Sequence, residues 1–135
     1  MPVWCITGTG TGVGKTFIAA ALAQRLAAQN LNVAYYKPVQ TGIPYGQPAE
    51  DCAFVQHVAP NVSVFCRYCF EAPAAPWVAD TQATLDLAVL SDDVQQYKQQ
   101  YDWLLIEGAG GLMVPLTQNV LFIDWLQTLN DPVFL

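Results

Sequence analysis

Charged residues are scarce in this chain of 135 residues, and positive charge is the scarcer sign. Only 12% of the residues are charged, and five lysines and arginines stand against eleven aspartates and glutamates, for a formal net charge of −6. A chain this acidic repels a phosphate backbone, so the composition excludes a general nucleic-acid binder and a basic membrane-surface helix. The few cations therefore stand out, and two of the three lysines, Lys15 and Lys37, lie beside turns marked by glycine or proline.

Long hydrophobic runs are also missing. No uninterrupted apolar stretch reaches the roughly 20 residues of a membrane span, and the N-terminus has neither the basic start nor the small-residue cleavage site of a secretory signal. We therefore expect a cytoplasmic protein. Because 53% of the residues are hydrophobic, the composition also excludes intrinsic disorder.

Histidine occurs once, as His57, and a C-x-x-C pattern occurs once, at Cys66 and Cys69. Such a pattern can serve redox chemistry or form half of a zinc site. No second C-x-x-C accompanies it, and both cysteines lie in an extended apolar stretch over residues 62–70. The sequence therefore favours buried, reduced thiols for all four cysteines, and it favours an ordinary helix residue, not a catalyst, for His57.

Apolar runs and helical patterns alternate along the chain, which predicts an α/β fold, a parallel sheet with helices on both faces. We expect residues 1–135 to form a single domain, truncated at its C-terminal end because the chain stops inside an apolar strand. Strands or extended segments are predicted over Val3–Thr7, Val33–Tyr36 (closed by Lys37 and Pro38), 62–70, Trp103–Ile106 and Pro132–Leu135; helices over Lys15–Gln29, Asp51–Ala59, Ser91–Gln100 and Val120–Leu129; and a loop over residues 71–77.

The strongest functional motif is residues 8–16, GTGTGVGKT, between a predicted strand and a predicted helix. Backbone N–H groups of such a glycine-rich loop bind phosphate oxygens, and the helix N-terminus adds its positive dipole. Lys15 is predicted to reach the β- and γ-phosphates, and the Thr16 hydroxyl to hold Mg²⁺. The loop is one residue longer than the common G-x-x-x-x-G-K-[ST] pattern, because Thr9 stands where that pattern has glycine. With this loop between strand and helix, we expect the α/β fold to be a P-loop NTPase-like parallel sheet with helices on both faces.

Two further motifs follow buried strands: YKPVQTG at residues 36–42 and IEGAGG at residues 106–111. The carboxyl ends of parallel strands lie on the ligand side of such a sheet, so Lys37 and Glu107 are expected beside the phosphate site. A carboxylate there suits Mg²⁺, which takes one or two carboxylates together with phosphate oxygens and water. Asp51 is either the second metal carboxylate or an N-terminal helix cap, and local pattern does not separate the two.

Together these motifs resemble the dethiobiotin synthetase family, ATP-dependent enzymes that close a ureido ring. The resemblance also includes FEAPAAP at residues 70–76, VPL at 114–116 and IDW at 123–125, and it extends in order over essentially the whole chain. It implies carboxylation and ring closure of 7,8-diaminopelargonic acid (7,8-diaminononanoate) with CO₂ and ATP, giving dethiobiotin, ADP and phosphate in biotin biosynthesis. It further implies a magnesium cofactor, a homodimer, and adenine contacts from segments beyond residue 135.

The resemblance also implies roles for individual residues. Lys37 and Lys15 would be catalytic, at the carbamate and the transferred phosphoryl group, and Thr11 and Thr41 would contact the substrate. The ligands of magnesium would be Thr16, Asp51 and Glu107. The nucleotide would be bound by Gly12, Val13, Gly14, Lys15, Thr16, Phe17, Asp51, Glu107, Gly108, Ala109 and Gly110.

This chain departs from the family pattern at Gly10 and Gly12, where family loops commonly carry acidic residues. Three other readings stay open: an amidoligase domain of the cobyrinate type, a nucleotide-dependent switch or partitioning ATPase, and a P-loop module that binds nucleotide without turnover. An amidoligase should carry a glutaminase-like domain. Partitioning ATPases usually carry a second lysine early in the P-loop, which this loop lacks before Lys15.

Overall fold

The computed structural model describes residues 2–8, 14–129 and 132–134, the last three by their backbone only. These residues contain five strands: β1 (Val3–Ile6), β2 (Val33–Thr41), β3 (Ser63–Phe70), β4 (Trp103–Glu107) and β5 (Pro132–Phe134). The strands are parallel and form one sheet in the order β3-β2-β4-β1-β5. The first strand of the chain thus lies inside the sheet, between β4 and β5.

Helices cover both faces of this sheet, as the alternating pattern predicts. The helices are α1 (Lys15–Ala27), α2 (Glu50–Val58), α3 (Pro76–Ala79), α4 (Leu87–Gln100) and α5 (Phe122–Gln127). Side chains of α1 and α2 pack with one face, and side chains of α4 and α5 pack with the other. The predicted fold class is therefore confirmed, while a single truncated domain over residues 1–135 stays a prediction.

Two apolar cores lie on the two faces, and strand β2 contributes to both. Tyr35 is buried in the core under α1 and α2, and Tyr36 is buried in the core under α4 and α5. Successive side chains of a strand point to opposite faces, so neighbouring residues of β2 necessarily serve different cores. Lys37 follows Tyr35 by two positions and therefore shares its face.

Strand β2 is longer than predicted. The sequence places its end at Lys37 and Pro38, but the strand continues to Thr41. Proline cannot donate to a strand neighbour and usually ends a buried strand. Here β2 pairs with β4 only as far as Tyr36 and pairs with β3 up to Thr41, so Pro38 lies beyond the last contact with β4. The longer strand carries Lys37 within the sheet, not in a turn.

The prediction of α4 from Ser91 is wrong, because the helix begins at Leu87. Its N-cap is Asp86, whose carboxylate accepts a hydrogen bond from the backbone N–H of Ala88 at 2.9 Å. The predicted loop over 71–77 is wrong at its end, because Pro76 begins the short helix α3, at the position where proline favours a helix start. Helices α1 and α5 are two to four residues shorter than predicted.

Within the part of the chain that the structure describes, no helix combines the length and apolar character needed to cross a bilayer.

Candidate active site

A cavity of about 570 Å³ opens at the carboxyl edge of strands β2 and β4, beside the N-terminus of α1. Parallel α/β sheets bind ligands at this edge. The cavity gathers most of the residues that the sequence singles out, whereas Thr11, Gly12 and Val13 lie outside the described residues. The predicted site residues that line it are Gly14, Lys15, Thr16, Phe17, Lys37, Thr41, Asp51, Glu107, Gly108, Ala109 and Gly110.

The Lys37 ammonium is the centre of the charged cluster in this cavity. Its Nζ lies 2.5 Å from Oδ2 of Asp51 and 3.1 Å from Oε2 of Glu107, and it donates to the Gly108 carbonyl at 3.1 Å. Lys37 and Glu107 are both buried. Burial alone would lower the pKa of Lys37, but the two carboxylates outweigh it and raise that pKa, so the side chain stays cationic at neutral pH.

Asp51 lies in the first turn of α2 and points its carboxylate at Lys37. The N-cap position is Ala49, not Asp51, and the backbone N–H of Asp51 itself donates to Oε1 of Gln40. Of the two alternatives that the sequence leaves open for Asp51, the structure therefore excludes the cap and places the carboxylate in the cavity.

Glu107, the last residue of β4, connects β4 to α1 and to β2 through its two carboxylate oxygens. Oε2 accepts from the Thr16 hydroxyl at 2.8 Å as well as from Lys37, and Oε1 accepts from the Tyr35 hydroxyl at 3.1 Å. Burial, together with the Glu107 charge, raises the pKa of Tyr35, so its phenol keeps its proton and donates. The sequence analysis missed Tyr35. Its position two residues before Lys37 on the same strand was the available signal.

Lys15 is the first residue of α1, directly after Gly14, which has a left-handed φ of 86°. Its Nζ donates to the Gly110 carbonyl at 2.6 Å, across the mouth of the site. Burial and the positive charge of Lys37 lower the pKa of Lys15, and Glu107 partly offsets this. Two cations and the two carboxylates of Asp51 and Glu107 thus line one cavity, so an anionic ligand would find cationic donors there.

The turn after β4 allows a close approach between the site and α5. A Cβ on Gly108 would lie 2.1 Å from Cε2 of Phe122, so no larger residue fits without moving that ring. Gly110 has a φ of 99°, which disfavours any side chain. Packing therefore favours glycine at position 108, and backbone conformation favours it at position 110.

The cavity also has an apolar wall that the sequence analysis did not assign to it. Its apolar lining residues are Pro73, Ala74, Ala75 and Val114. Gln40 lines it too and accepts a hydrogen bond from the backbone N–H of Asp51 at 3.3 Å. A polar, charged end and an apolar wall suit a ligand that has both kinds of surface.

The cysteines and the histidine are separate from this chemistry. All four cysteines are free; Cys5 and Cys52 are buried as predicted, but Cys66 is half-buried and Cys69 is exposed because both lie on the edge strand β3. Burial raises the pKa of Cys69 to about 12, and contact with the Cys52 thiol together with burial raises the pKa of Cys66. Neither thiol is ionised at neutral pH. His57 is an exposed residue of α2, as expected.

Comparison with known proteins supports the interpretation of the motifs. A family model described as an AAA domain matches residues 4–135. The chain belongs to this AAA-domain family.

Curated relatives of this AAA domain carry the name ATP-dependent dethiobiotin synthetase, which confirms the resemblance drawn from the motifs. The protein from Sulfurovum sp. is 37% identical over 96% of this chain and 65% of its own length. Those from Halalkalibacterium halodurans and Salmonella typhi are 40% and 36% identical, over 96% of this chain and over 57% and 60% of their own lengths. The chain thus spans about three fifths of the length of these relatives.

The donor atoms that this AAA domain brings together fit a magnesium ion. Asp51 and Glu107 supply carboxylate oxygens and Thr16 a hydroxyl oxygen, and all three line the same cavity. Oxygen donors of this kind, completed by phosphate oxygens and water, are the usual environment of Mg²⁺. Among the described residues, no group of three or more histidine, cysteine or acidic side chains is placed to hold a metal ion.

Proposed function

We propose that this chain carries the nucleotide and substrate centre of an ATP- and Mg²⁺-dependent dethiobiotin synthetase. The reaction would be the carboxylation and ring closure of 7,8-diaminopelargonic acid with CO₂, which yields dethiobiotin, ADP and phosphate. The observation that carries the proposal is the meeting of Lys37, Asp51 and Glu107 at the carboxyl edge of the sheet, in a cavity that Lys15 also lines.

The charges of the site suit each step of this reaction. An amine of the substrate attacks CO₂ and forms a C–N bond, which gives a carbamate anion after loss of a proton. The carbamate oxygen then takes the γ-phosphoryl group of ATP and releases ADP. The second amine attacks the carbonyl carbon of this mixed anhydride, and phosphate leaves as the ring closes. Every intermediate is anionic, so cationic donors held in place would stabilise each of them.

Within this proposal each residue has a stated task. Lys37 holds the carbamate and the phosphoryl group, and Lys15 binds the phosphates beside it. Thr11 and Thr41 contact the substrate, whose aliphatic chain would meet the apolar wall. Mg²⁺, held by Thr16, Asp51 and Glu107, would neutralise phosphate charge. Nucleotide contacts come from the P-loop, Phe17 and the turn after β4.

The test is phosphate release from ATP with Mg²⁺, with 7,8-diaminopelargonic acid and bicarbonate present and with each omitted in turn. Because the chain spans only part of its relatives, the longest natural version of the protein is the sample of choice. Lys37→Ala should reduce the rate by about 10²–10³-fold, the usual cost of one transition-state donor. Lys98→Ala is the matched control, because Lys98 lies on α4 and outside the cavity.

Release that requires both co-substrates and collapses only in Lys37→Ala would establish the synthetase. Release indifferent to the diamine would instead indicate a switch or partitioning ATPase. Nucleotide binding without any release would indicate a module that binds without turnover. Either of these results would remove the substrate roles of Lys37, Thr11 and Thr41.

We further propose that the enzyme is a cytoplasmic homodimer, as the family resemblance implies. Phe17 and Ile18, in the first turn of α1, are 68% and 53% exposed in the single chain beside the cavity. Light scattering of the purified protein would measure its mass. A monomeric mass at working concentration would contradict the dimer.

A further inference from the structure

Tyr35 is a buried phenol at the base of the candidate site, and the sequence motifs do not include it. Its side chain has 0% exposure, and its hydroxyl donates to Oε1 of Glu107 at 3.1 Å. The other oxygen of the same carboxylate, Oε2, accepts from Thr16 and Lys37. The two oxygens of Glu107 are thus divided between an internal partner and the partners that line the cavity.

This division restricts the orientation of Glu107. A carboxylate with one free oxygen can rotate about its terminal torsion, which has a broad energy well. With Oε1 bonded to a phenol that is itself held in the core, the carboxylate keeps Oε2 at the cavity. Outer partners of this kind are known to orient metal ligands and to raise their effectiveness.

We propose that Tyr35 is a positioning residue that fixes Glu107 so that Oε2 faces Thr16, Lys37 and the magnesium site. The proposal rests on the proposed function only in taking Glu107 as a ligand of Mg²⁺ bound with nucleotide. It does not require the diamine reaction.

The neighbouring Tyr36 provides a matched control. Tyr36 is also fully buried, and its hydroxyl also donates to a buried carboxylate, Oδ2 of Asp93, at 2.7 Å. That carboxylate belongs to α4, which covers the opposite face of the sheet. Tyr35→Phe and Tyr36→Phe therefore delete the same atom in the same strand, and only the first deletion touches the candidate site.

The experiment measures the binding of ADP by calorimetry over a series of Mg²⁺ concentrations, with the thermal midpoint of each protein measured in parallel. Tyr35→Phe should raise the Mg²⁺ concentration for half-maximal tight binding by about 10- to 100-fold, the usual effect of losing an outer partner of a metal ligand. Tyr36→Phe should lower the thermal midpoint but leave the Mg²⁺ dependence within about twofold of wild type, since its partner Asp93 is outside the site.

In a Glu107→Gln background, adding Tyr35→Phe should change the Mg²⁺ dependence by less than about twofold, because the two residues act as one unit.

An unchanged Mg²⁺ dependence in Tyr35→Phe would overturn the proposal, and so would an equal shift in Tyr36→Phe, which would indicate a general effect of destabilisation. Failure of the synthetase proposal is separately visible. In that case wild type would bind Mg²⁺ and ADP together but would show no phosphate release that depends on the diamine.

Discussion

Two buried carboxylates, Glu107 and Asp93, lie on opposite faces of the same sheet and have similar partners. Each accepts a hydrogen bond from one of the adjacent tyrosines of β2, and each pairs with a basic side chain. Asp93 is bound by Nε of Arg67 at 2.8 Å and by Nη2 at 2.5 Å, so the guanidinium occupies both carboxylate oxygens. Both carboxylate oxygens of Asp93 thus have partners within the protein.

The Glu107 cluster is arranged differently. Its cation, Lys37, is shared with a second carboxylate on α2, and the cluster opens into a cavity with a second lysine at its mouth. An ammonium is a point charge with three donors, whereas a guanidinium matches one carboxylate as a planar fork. One face thus uses a buried carboxylate, Asp93, and a partly exposed arginine to join β2, β3 and α4, while the other face presents its charges to a cavity.

The largest expected effect separates the two carboxylates. Glu107→Gln should reduce Mg²⁺-dependent phosphate release by about 10²–10³-fold, because a ligand and its charge are lost from the site. Asp93→Asn should keep the activity of the folded protein within about twofold but lower the free energy of unfolding by about 2 kcal/mol, the usual value of hydrogen bonds to a charged group. Activity assays and urea denaturation of both variants test this. Loss of activity in folded Asp93→Asn would contradict the purely structural role of Asp93.

A second prediction concerns Gly108, where the site meets the opposite face of the sheet. Gly108→Ala places a methyl group against the Phe122 ring, so it should cost about 1–3 kcal/mol of stability, the usual price of overpacking. Phe122→Leu removes ring atoms at that point, and the double variant should therefore lose less than the sum of the two single variants. Thermal denaturation measures all three. Strict additivity would show that the two residues do not compete for space.

A third prediction is the pH dependence of the Asp93 contribution. Burial alone would raise the pKa of Asp93, but its bonds to Arg67 and Tyr36 outweigh this and hold that pKa below its usual value. The unfolded chain then binds the proton more tightly, so the stabilisation is complete above about pH 5 and is lost as pH falls below about 4. The difference in stability between wild type and Asp93→Asn should shrink over that range. Urea midpoints at pH 7, 4 and 3 test this, and a constant difference would contradict it.

Much of this site follows from the sequence because parallel strands share one carboxyl edge. Lys37 and Glu107 each lie at or near the end of an apolar run, and the P-loop marks the ligand side of the sheet. Those two facts are enough to place both residues and the start of α1 in one cavity. A charged residue in an otherwise apolar strand predicts a site, because a buried charge needs a partner or a ligand.

The remaining features depend on contacts that pattern alone does not contain. The sequence YYK places Tyr35 on the same face as Lys37, but it does not reveal that the Tyr35 hydroxyl reaches Glu107. The continuation of β2 past Pro38 depends on where β4 ends. Asp93 looks like a helix-start residue beside Ser91, and only the approach of Arg67 from β3 explains its burial.

The smallest expected effect distinguishes a guanidinium from an ammonium as the partner of Asp93, on the α4 face of the sheet. Arg67→Lys keeps the positive charge but replaces two parallel hydrogen bonds to Asp93 with one flexible contact. Because Arg67 is 45% exposed, water screens the pair, and the loss should be about 0.5–1 kcal/mol. Urea denaturation at low and high salt measures it, with Arg25→Lys in the last turn of α1 as the control for a general arginine effect. The loss should persist in high salt, because it comes mainly from the geometry of the fork and not from the charge. A loss that disappears in high salt would mean that Arg67 acts on Asp93 only as a charge. The planar fork of the guanidinium would then have no advantage over an ammonium at this position.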